Sequence, residues 1–166
     1  MRAMNESELE KIPYKLVVIS DSHHDVERLE KLIPVINSAD YLVFCGDGVM
    51  DIMYIRGRLT VPIVCVKGNN DFDVNVNITE LASVAFGKTR AIVTHGHKYG
   101  VQFGLRNLYG VATMHGARLV FFGHTHTFYD RIEGGVHFIN PGALCNGSYA
   151  LVAGDGENFM VRRCSV

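Results

Sequence analysis

Arg118-Leu119-Val120-Phe121-Phe122-Gly123-His124-Thr125-His126 is the stretch from which the chain is best read. Residues 118–122 form an apolar run short enough for a buried strand. Two histidines, one residue apart where that strand ends, can both turn toward one site. A lone pair means little, but the same pattern recurs along the chain. Lys15–Ser20 leads into Asp21-Ser22-His23, and Tyr41–Cys45 into Gly46-Asp47-Gly48. Val61–Val66 leads into Lys67-Gly68-Asn69-Asn70-Asp71, and Arg90–Thr94 into His95-Gly96-His97. Each run delivers Asp, His or Asn at its end.

Helical patterns fill the gaps between the first strands. Asp25–Ser38 carries Val26, Leu29, Leu32, Ile33 and Ile36 at helical spacing, with Asp25 placed to cap it. Val49–Arg58 reads as a short helix with Met50, Met53 and Tyr54 on one face. Residues 72–80 read as a loop, and Leu81–Phe86 as a strand that turns at Gly87-Lys88. Tyr99–Met114 reads as a helix interrupted by Gly104 and Gly110. The tail differs. Phe128–Ile132, Val136–Ile139, Tyr149–Ala153 and Phe159–Arg163 are short strands joined by tight turns, among them Asp155-Gly156. Strand–helix alternation followed by hairpins predicts an α/β domain with a mixed second sheet rather than one purely parallel sheet.

Composition narrows the function. The 166 residues make one domain with a proper core: 1–14 as an N-terminal extension, weakly helical over Asn5–Lys11, and 15–166 as the folded unit. The 16 basic and 17 acidic residues nearly cancel, leaving no electrostatic footprint for nucleic acid or an anionic membrane. Hydrophobic content of 48% argues against disorder. No apolar run approaches the roughly 20 residues that span a bilayer, and Met1–Tyr14 lacks the apolar core of a signal peptide. Cys45, Cys65, Cys145 and Cys164 show no C-x-x-C spacing, and two of them fall in expected buried strands. A reducing cytoplasm without disulfides is expected.

In open α/β sheets, sites form beyond the carboxyl ends of the strands. Those ends here supply Asp21, His23, Asp47, Asn69, His95, His124 and His126. All are oxygen or imidazole ligands, which suit Mn, Fe, Ni or Zn better than a thiolate-type structural zinc site does. Seven ligands are too many for one ion. With one carboxylate shared they give four to each of two ions, the inventory of a two-metal hydrolytic site with ions about 3.5–4 Å apart. Asp47, on a central strand between the two groups, is the expected bridge. Taken singly, each motif is ordinary cap or turn chemistry; their joint recurrence at successive strand ends is what points to metal.

The ordered set Asp21-x-His23, Gly46-Asp47, Gly68-Asn69-Asn70-Asp71, His95-Gly96-His97 and Gly123-His124-Thr125-His126 resembles the calcineurin-like metallophosphoesterase superfamily. The short length and the Asn140-Pro141-Gly142 turn resemble its small bacterial and archaeal phosphodiesterases. The resemblance covers Lys15 to Val161. It implies a four-layer sandwich, two mixed β-sheets packed together and flanked by helices. It implies that Asp21, His23 and His126 hold one metal, that Asn69, His95 and His124 hold the other, and that Asp47 bridges. It further implies attack on a small phosphodiester by a hydroxide between the two ions. Mn is the expected metal, with Ni, Fe, Zn or Mg as alternatives.

Two positions depart from the pattern. Asn70 stands where many members carry a His that assists the leaving group, and many small ones a Cys. Asn cannot act as an acid but can hydrogen-bond a phosphoryl oxygen, which leaves two alternatives: reliance on metal activation with good leaving groups, or His97 as the residue that assists the leaving group. Ala143 stands where small relatives often carry Ser. His24 is expected to be exposed, His115 to close a helix and His137 to lie in a strand. Met50, Met53 and Met114 are expected as core filler. Lys98, Tyr99, Arg106 and Tyr109 are candidates for a substrate rim, and Phe72 and Phe128 for an apolar pocket edge. Three classes follow: a phosphodiesterase; a phosphomonoesterase, protein phosphatase or nucleotide pyrophosphatase; or a protein-binding scaffold, as in the retromer subunit of similar size. A homo-oligomer is compatible with all three.

Overall fold

The computed structural model describes residues 14–72, 74 and 77–166. The expected weak helix of the extension lies outside them, and Tyr14, at the end of that extension, already belongs to the first strand. Among the described residues, ten strands build two sheets. β1 (Tyr14–Ile19), β2 (Tyr41–Phe44) and β3 (Ile63–Cys65) run parallel, and β9 (Ser148–Gly154) and β10 (Phe159–Ser165) join antiparallel beside β1, giving the order β10-β9-β1-β2-β3. In the other sheet β5 (Thr89–Thr94), β6 (Leu119–Phe121) and β8 (Val136–Pro141) are parallel. β4 (Leu81–Phe86) and β7 (Phe128–Glu133) form its antiparallel edges, in the order β4-β5-β6-β8-β7. Both sheets are therefore mixed.

Side-chain alternation makes the layers. On β1, Leu16 and Val18 face the second sheet and pack with Val93, Phe121 and Ile139. Val17 and Ile19 point the other way, against α1 (Val26–Asn37) and α2 (Val49–Ile55) through Leu29, Ile36 and Ile52. The outer face of the second sheet, with Ile92, Val120 and Phe138, packs on Leu108 and Ala112 of α3 (Arg106–Met114). Period-2 strands with both faces buried thus give the helix–sheet–sheet–helix sandwich that the resemblance implied. Asp25 caps α1 as expected, accepting from the Arg28 N–H at 3.1 Å.

Some expectations need correction. The stretch after His97 is not one helix from Tyr99. A single 3₁₀ turn covers His97–Tyr99, and the chain then takes left-handed φ at Gly100 (62°) and positive φ at Gly104 (140°), so α3 starts only at Arg106. Gly110 stays within it. α2 ends at Ile55 and tightens into a 3₁₀ turn over Arg56–Arg58. Its buried stripe is Val49, Ile52 and Ile55, so Met50 and Tyr54 face outward. Met114 is exposed as well; of the three methionines read as filler, only Met53 packs against the core. His115 closes α3 and His137 lies in β8, both as expected. Lys98 pairs with Glu80, and Tyr109 reaches the Gly134 carbonyl. Phe128 packs against the inter-sheet core. No described helix is long and apolar enough to cross a membrane.

Candidate metal centre

The loops that follow β1, β2, β5 and β6 converge. Asp21 Oδ1 lies 3.1 Å from His126 Nε2, 3.5 Å from His23 Nε2 and 3.9 Å from His95 Nε2. Asp47 Oδ2 lies 3.4 Å from His95 Nε2 and 3.8 Å from His23 Nε2. Both carboxylates thus sit between the His23–His126 side and the His95 side. His124 joins the latter, with its ring 5.1 Å from that of His95. Two triads meet the geometry for an ion, Asp21-His23-His126 and Asp21-Asp47-His95. Asn69 lies in the loop after β3, next to Asn70, and is exposed. His97 lies alongside, its ring 5.4 Å from His95 and 6.2 Å from His124.

Two further observations fit a cation. First, Asp21 Oδ1 and His95 Nε2 are fully buried and have no hydrogen-bond partner. Each has a candidate ligand atom close by, His126 Nε2 at 3.1 Å from Asp21 Oδ1 and Asp47 Oδ2 at 3.4 Å from His95 Nε2, without a hydrogen bond to it. Buried polar atoms left unpaired cost about 1–3 kcal/mol each, and a bound cation would remove that cost. Second, Asp21, His23, Asp47, His124 and His126 all have φ between 43° and 69°; among the described residues the other non-glycine with positive φ is His24, at 68°. Left-handed backbone at non-glycine residues costs on the order of 1–3 kcal/mol and gathers at functional sites. The donors, carboxylates and imidazoles, suit a divalent metal.

Partners behind the site aim its side chains. His95 Nδ1 lies 2.7 Å from the Cys45 carbonyl, which only accepts, so Nδ1 carries the hydrogen and Nε2 turns a lone pair to the centre. Ser20 donates to Asp21 Oδ2 at 2.6 Å. The Asn70 N–H donates to Asp47 Oδ1 at 2.8 Å and its side-chain amide to Oδ2 at 2.6 Å. Asp71 accepts from the N–H groups of Asp47, Gly68, Gly48 and Val49 at 2.7–2.9 Å. Asn140 donates to the Gly123 carbonyl at 2.9 Å and to Thr125 Oγ1 at 3.1 Å. The approach is close enough to require glycine at two motif positions. A Cβ on Gly68 would lie 2.0 Å from Asp47 Oδ1, and one on Gly123 would lie 1.9 Å from Ser20 Oγ.

Charge follows from this packing. Burial alone would raise the Asp47 pKa, but His95 and the two Asn70 hydrogen bonds outweigh it and hold the carboxyl well below the usual range. Burial lowers the His95 pKa, and the attraction of Asp47 and Asp21 more than reverses this. His97 and His124 are lowered, first by burial and then by the neighbouring imidazoles. Asp71, Ser20 and Asn140 received no role from the sequence. The available signal was generic: a buried loop rich in backbone N–H groups needs acceptors, but the sequence does not say which Asp or Ser supplies them.

A cavity of about 190 Å³ adjoins the centre and is lined in part by His23, Asp47 and Asn70. A larger one, about 570 Å³ between Val35, Leu151 and Met160, touches no candidate ligand, so size does not mark the site.

Comparison with known proteins agrees with this arrangement. Residues 14–158 match the family model for the calcineurin-like phosphoesterase superfamily domain. The chain is 34% identical over 130 residues to a probable metallophosphoesterase, YsnB, of Bacillus subtilis, covering 78% of this chain and 74% of that protein. A predicted phosphoesterase from Streptococcus pneumoniae superposes with a TM-score of 0.78 at 28% identity, over 92% of this chain and 89% of that one. Two more distant structures share the fold. One is an archaeal phosphodiesterase (TM-score 0.72, 22% identity, 90% and 99% covered), and the other is Vps29 of Chaetomium thermophilum (TM-score 0.73, 16% identity, 93% and 97% covered). With the motifs, the two-sheet sandwich and the match over nearly all of the described residues in agreement, the chain belongs to the calcineurin-like phosphoesterase superfamily.

Proposed function

We propose that the chain is a two-metal phosphodiesterase acting on a small phosphodiester, with Asp21, His23 and His126 holding one divalent ion, Asn69, His95 and His124 the other, and Asp47 between them. The observation that carries this reading is that Asp21 Oδ1 and His95 Nε2, two of three buried side-chain atoms without a hydrogen-bond partner among the described residues (the third is His97 Nδ1), lie 3.9 Å apart among candidate ligands of which five have left-handed backbone. Divalent ions bound there, Mn first among them, supply Lewis acidity toward phosphoryl oxygens and acidify water at neutral pH.

The chain's own groups then have distinct tasks. Asp21 and Asp47 bring the negative charge, and the neutral amide of Asn69 adds none that would repel an anionic diester. Asn70 is a positioning residue, since its backbone and side-chain N–H both engage Asp47. Its second amide hydrogen is free to meet a phosphoryl oxygen. His97, its ring 5.4 Å from that of His95, assists the leaving group; burial and then the adjacent His95 lower its pKa. That part falls if His97→Ala changes neither turnover nor its pH profile. Four unpaired thiols suit a reducing compartment such as the cytoplasm.

The test uses metal-stripped protein with Mn, Ni, Zn or Mg added back, assayed on bis(p-nitrophenyl) phosphate and p-nitrophenyl phosphate beside Asp47→Ala. Diester turnover that needs metal and is lost in the variant is the expected result. A monoester preference would move the reading to a phosphatase. Two bound ions without turnover would move it to a scaffold.

A further inference from the structure

The cavity beside the centre has two kinds of wall. His23, Asp47 and Asn70 are among its polar lining, and Met50, Phe72 and Val74 are its apolar lining. Met50 lies on α2 and Phe72 follows the Asn69–Asp71 turn, so separate elements bring them together. Met50 is 55% exposed and Phe72 80% exposed. Single exposed apolar side chains are ordinary. Two that line one cavity together with the candidate ligands His23 and Asp47 are a different observation.

We propose that Met50, Phe72 and Val74 form a substrate subsite for one planar, uncharged ring, that of an aryl or nucleoside ester of phosphate. This rests on the phosphoesterase reading and specifies its substrate class. The organic group of a phosphoester lies within a few bonds of phosphorus, so its subsite must adjoin the phosphoryl position, as this cavity does. The volume, about 190 Å³, falls below the roughly 300–1,000 Å³ of drug-sized ligand pockets, and so suits one ring system rather than a peptide. Among the described residues no Lys or Arg lines it, and the imidazoles of His23 and His24 share the lining with the carboxylates of Asp47 and Asp71, so a second phosphate finds little countercharge. A flat ring gains stacking from Phe72 and sulfur–aromatic contact from Met50.

Phenylphosphonate and methylphosphonate share the phosphonate and differ only in the ring. Their binding to the Mn-loaded full chain, followed by calorimetry, isolates the subsite from turnover. Phenylphosphonate is expected to bind about tenfold more tightly, the scale of a lost aromatic stack. Phe72→Ala should bring the two ligands to within about twofold while leaving methylphosphonate affinity unchanged. Both side chains are exposed, so Phe72→Ala and Met50→Ala should melt as the parent does. Equal binding of the two ligands by the parent overturns the subsite, as does a ring preference that survives in the Phe72→Ala/Met50→Ala double variant. If neither phosphonate binds the metal-loaded chain and no diester is turned over, the phosphoesterase reading itself fails.

Discussion

Replacing Asp71 with Asn should cost more stability than any other single-atom change near the centre. The carboxylate is 6% exposed and lies between two loops. Oδ2 accepts from the Asp47 and Gly68 N–H groups at 2.7 and 2.8 Å; Oδ1 accepts from Gly48 and Val49, both at 2.9 Å. An amide is isosteric but has one acceptor oxygen. Whichever way it turns, its NH₂ faces two N–H donors. Two hydrogen bonds to a charged acceptor are lost, at about 1.5–3 kcal/mol each, so the expected loss is about 3–6 kcal/mol. That is a large part of the roughly 5–15 kcal/mol that a domain has. At about 2–4 °C per kcal/mol for this size, melting should fall by at least about 6 °C. Urea unfolding and thermal melting in EDTA measure this without a metal contribution. Asp155→Asn is the control: its carboxylate accepts from Glu157 and Asn158 in an exposed turn, both through Oδ1 at 2.8 Å, and one amide oxygen can keep both. Asp71→Asn within about 1 kcal/mol of the parent, an ordinary surface-level effect, would refute the reasoning.

Three other outcomes are expected. Asn140→Ala leaves the Gly142 N–H without its buried acceptor and removes one of two donors to the Gly123 carbonyl, which keeps the Thr125 N–H at 2.8 Å, and should cost about 1–3 kcal/mol in urea unfolding; a loss below about 0.5 kcal/mol would show that the His124 loop does not depend on it. His24→Gly relieves a left-handed φ of 68° on a side chain that is 91% exposed, so stability should rise by about 0.5–1 kcal/mol after the added chain entropy of glycine, seen as a higher melting temperature. Burial raises the Cys45 pKa and pushes Cys65 up to about 12, so a thiol reagent at pH 8 should reach at most Cys145 and Cys164 in the native protein and all four cysteines in guanidinium; rapid reaction of a third native thiol would contradict the packing.

Much of the site was legible in the sequence because its information is local. A β-branched apolar run that ends in Gly-Asp, Gly-Asn or Gly-His states both a strand and what it delivers. The rule that sites form at strand carboxyl ends gathers those residues without coordinates. Helix faces were harder. Residues 49–55 carry two interleaved apolar stripes, Met50-Met53-Tyr54 and Val49-Ile52-Ile55, and periodicity cannot choose between them. Docking on Phe44 and Ile19 of the first sheet chose the second stripe, and so left Met50 outside. The break after Tyr99 lay in backbone conformation at Gly100 and Gly104, where a glycine permits a turn without demanding it.

The sequence by itself determined the strand order along the chain, the identity of the candidate ligands and the superfamily, because each rests on residue type at short spacing. Tertiary structure alone decided that Asp21, besides the Asp47 expected from the sequence, lies between the two histidine groups. It also decided that Asp71 and Asn140 hold the loops, and that Met50 and Phe72 flank one cavity. Those facts depend on how two sheets and the loops at their carboxyl ends meet, which joins residues as far apart as Asp21 and His126 through distances that no local pattern encodes.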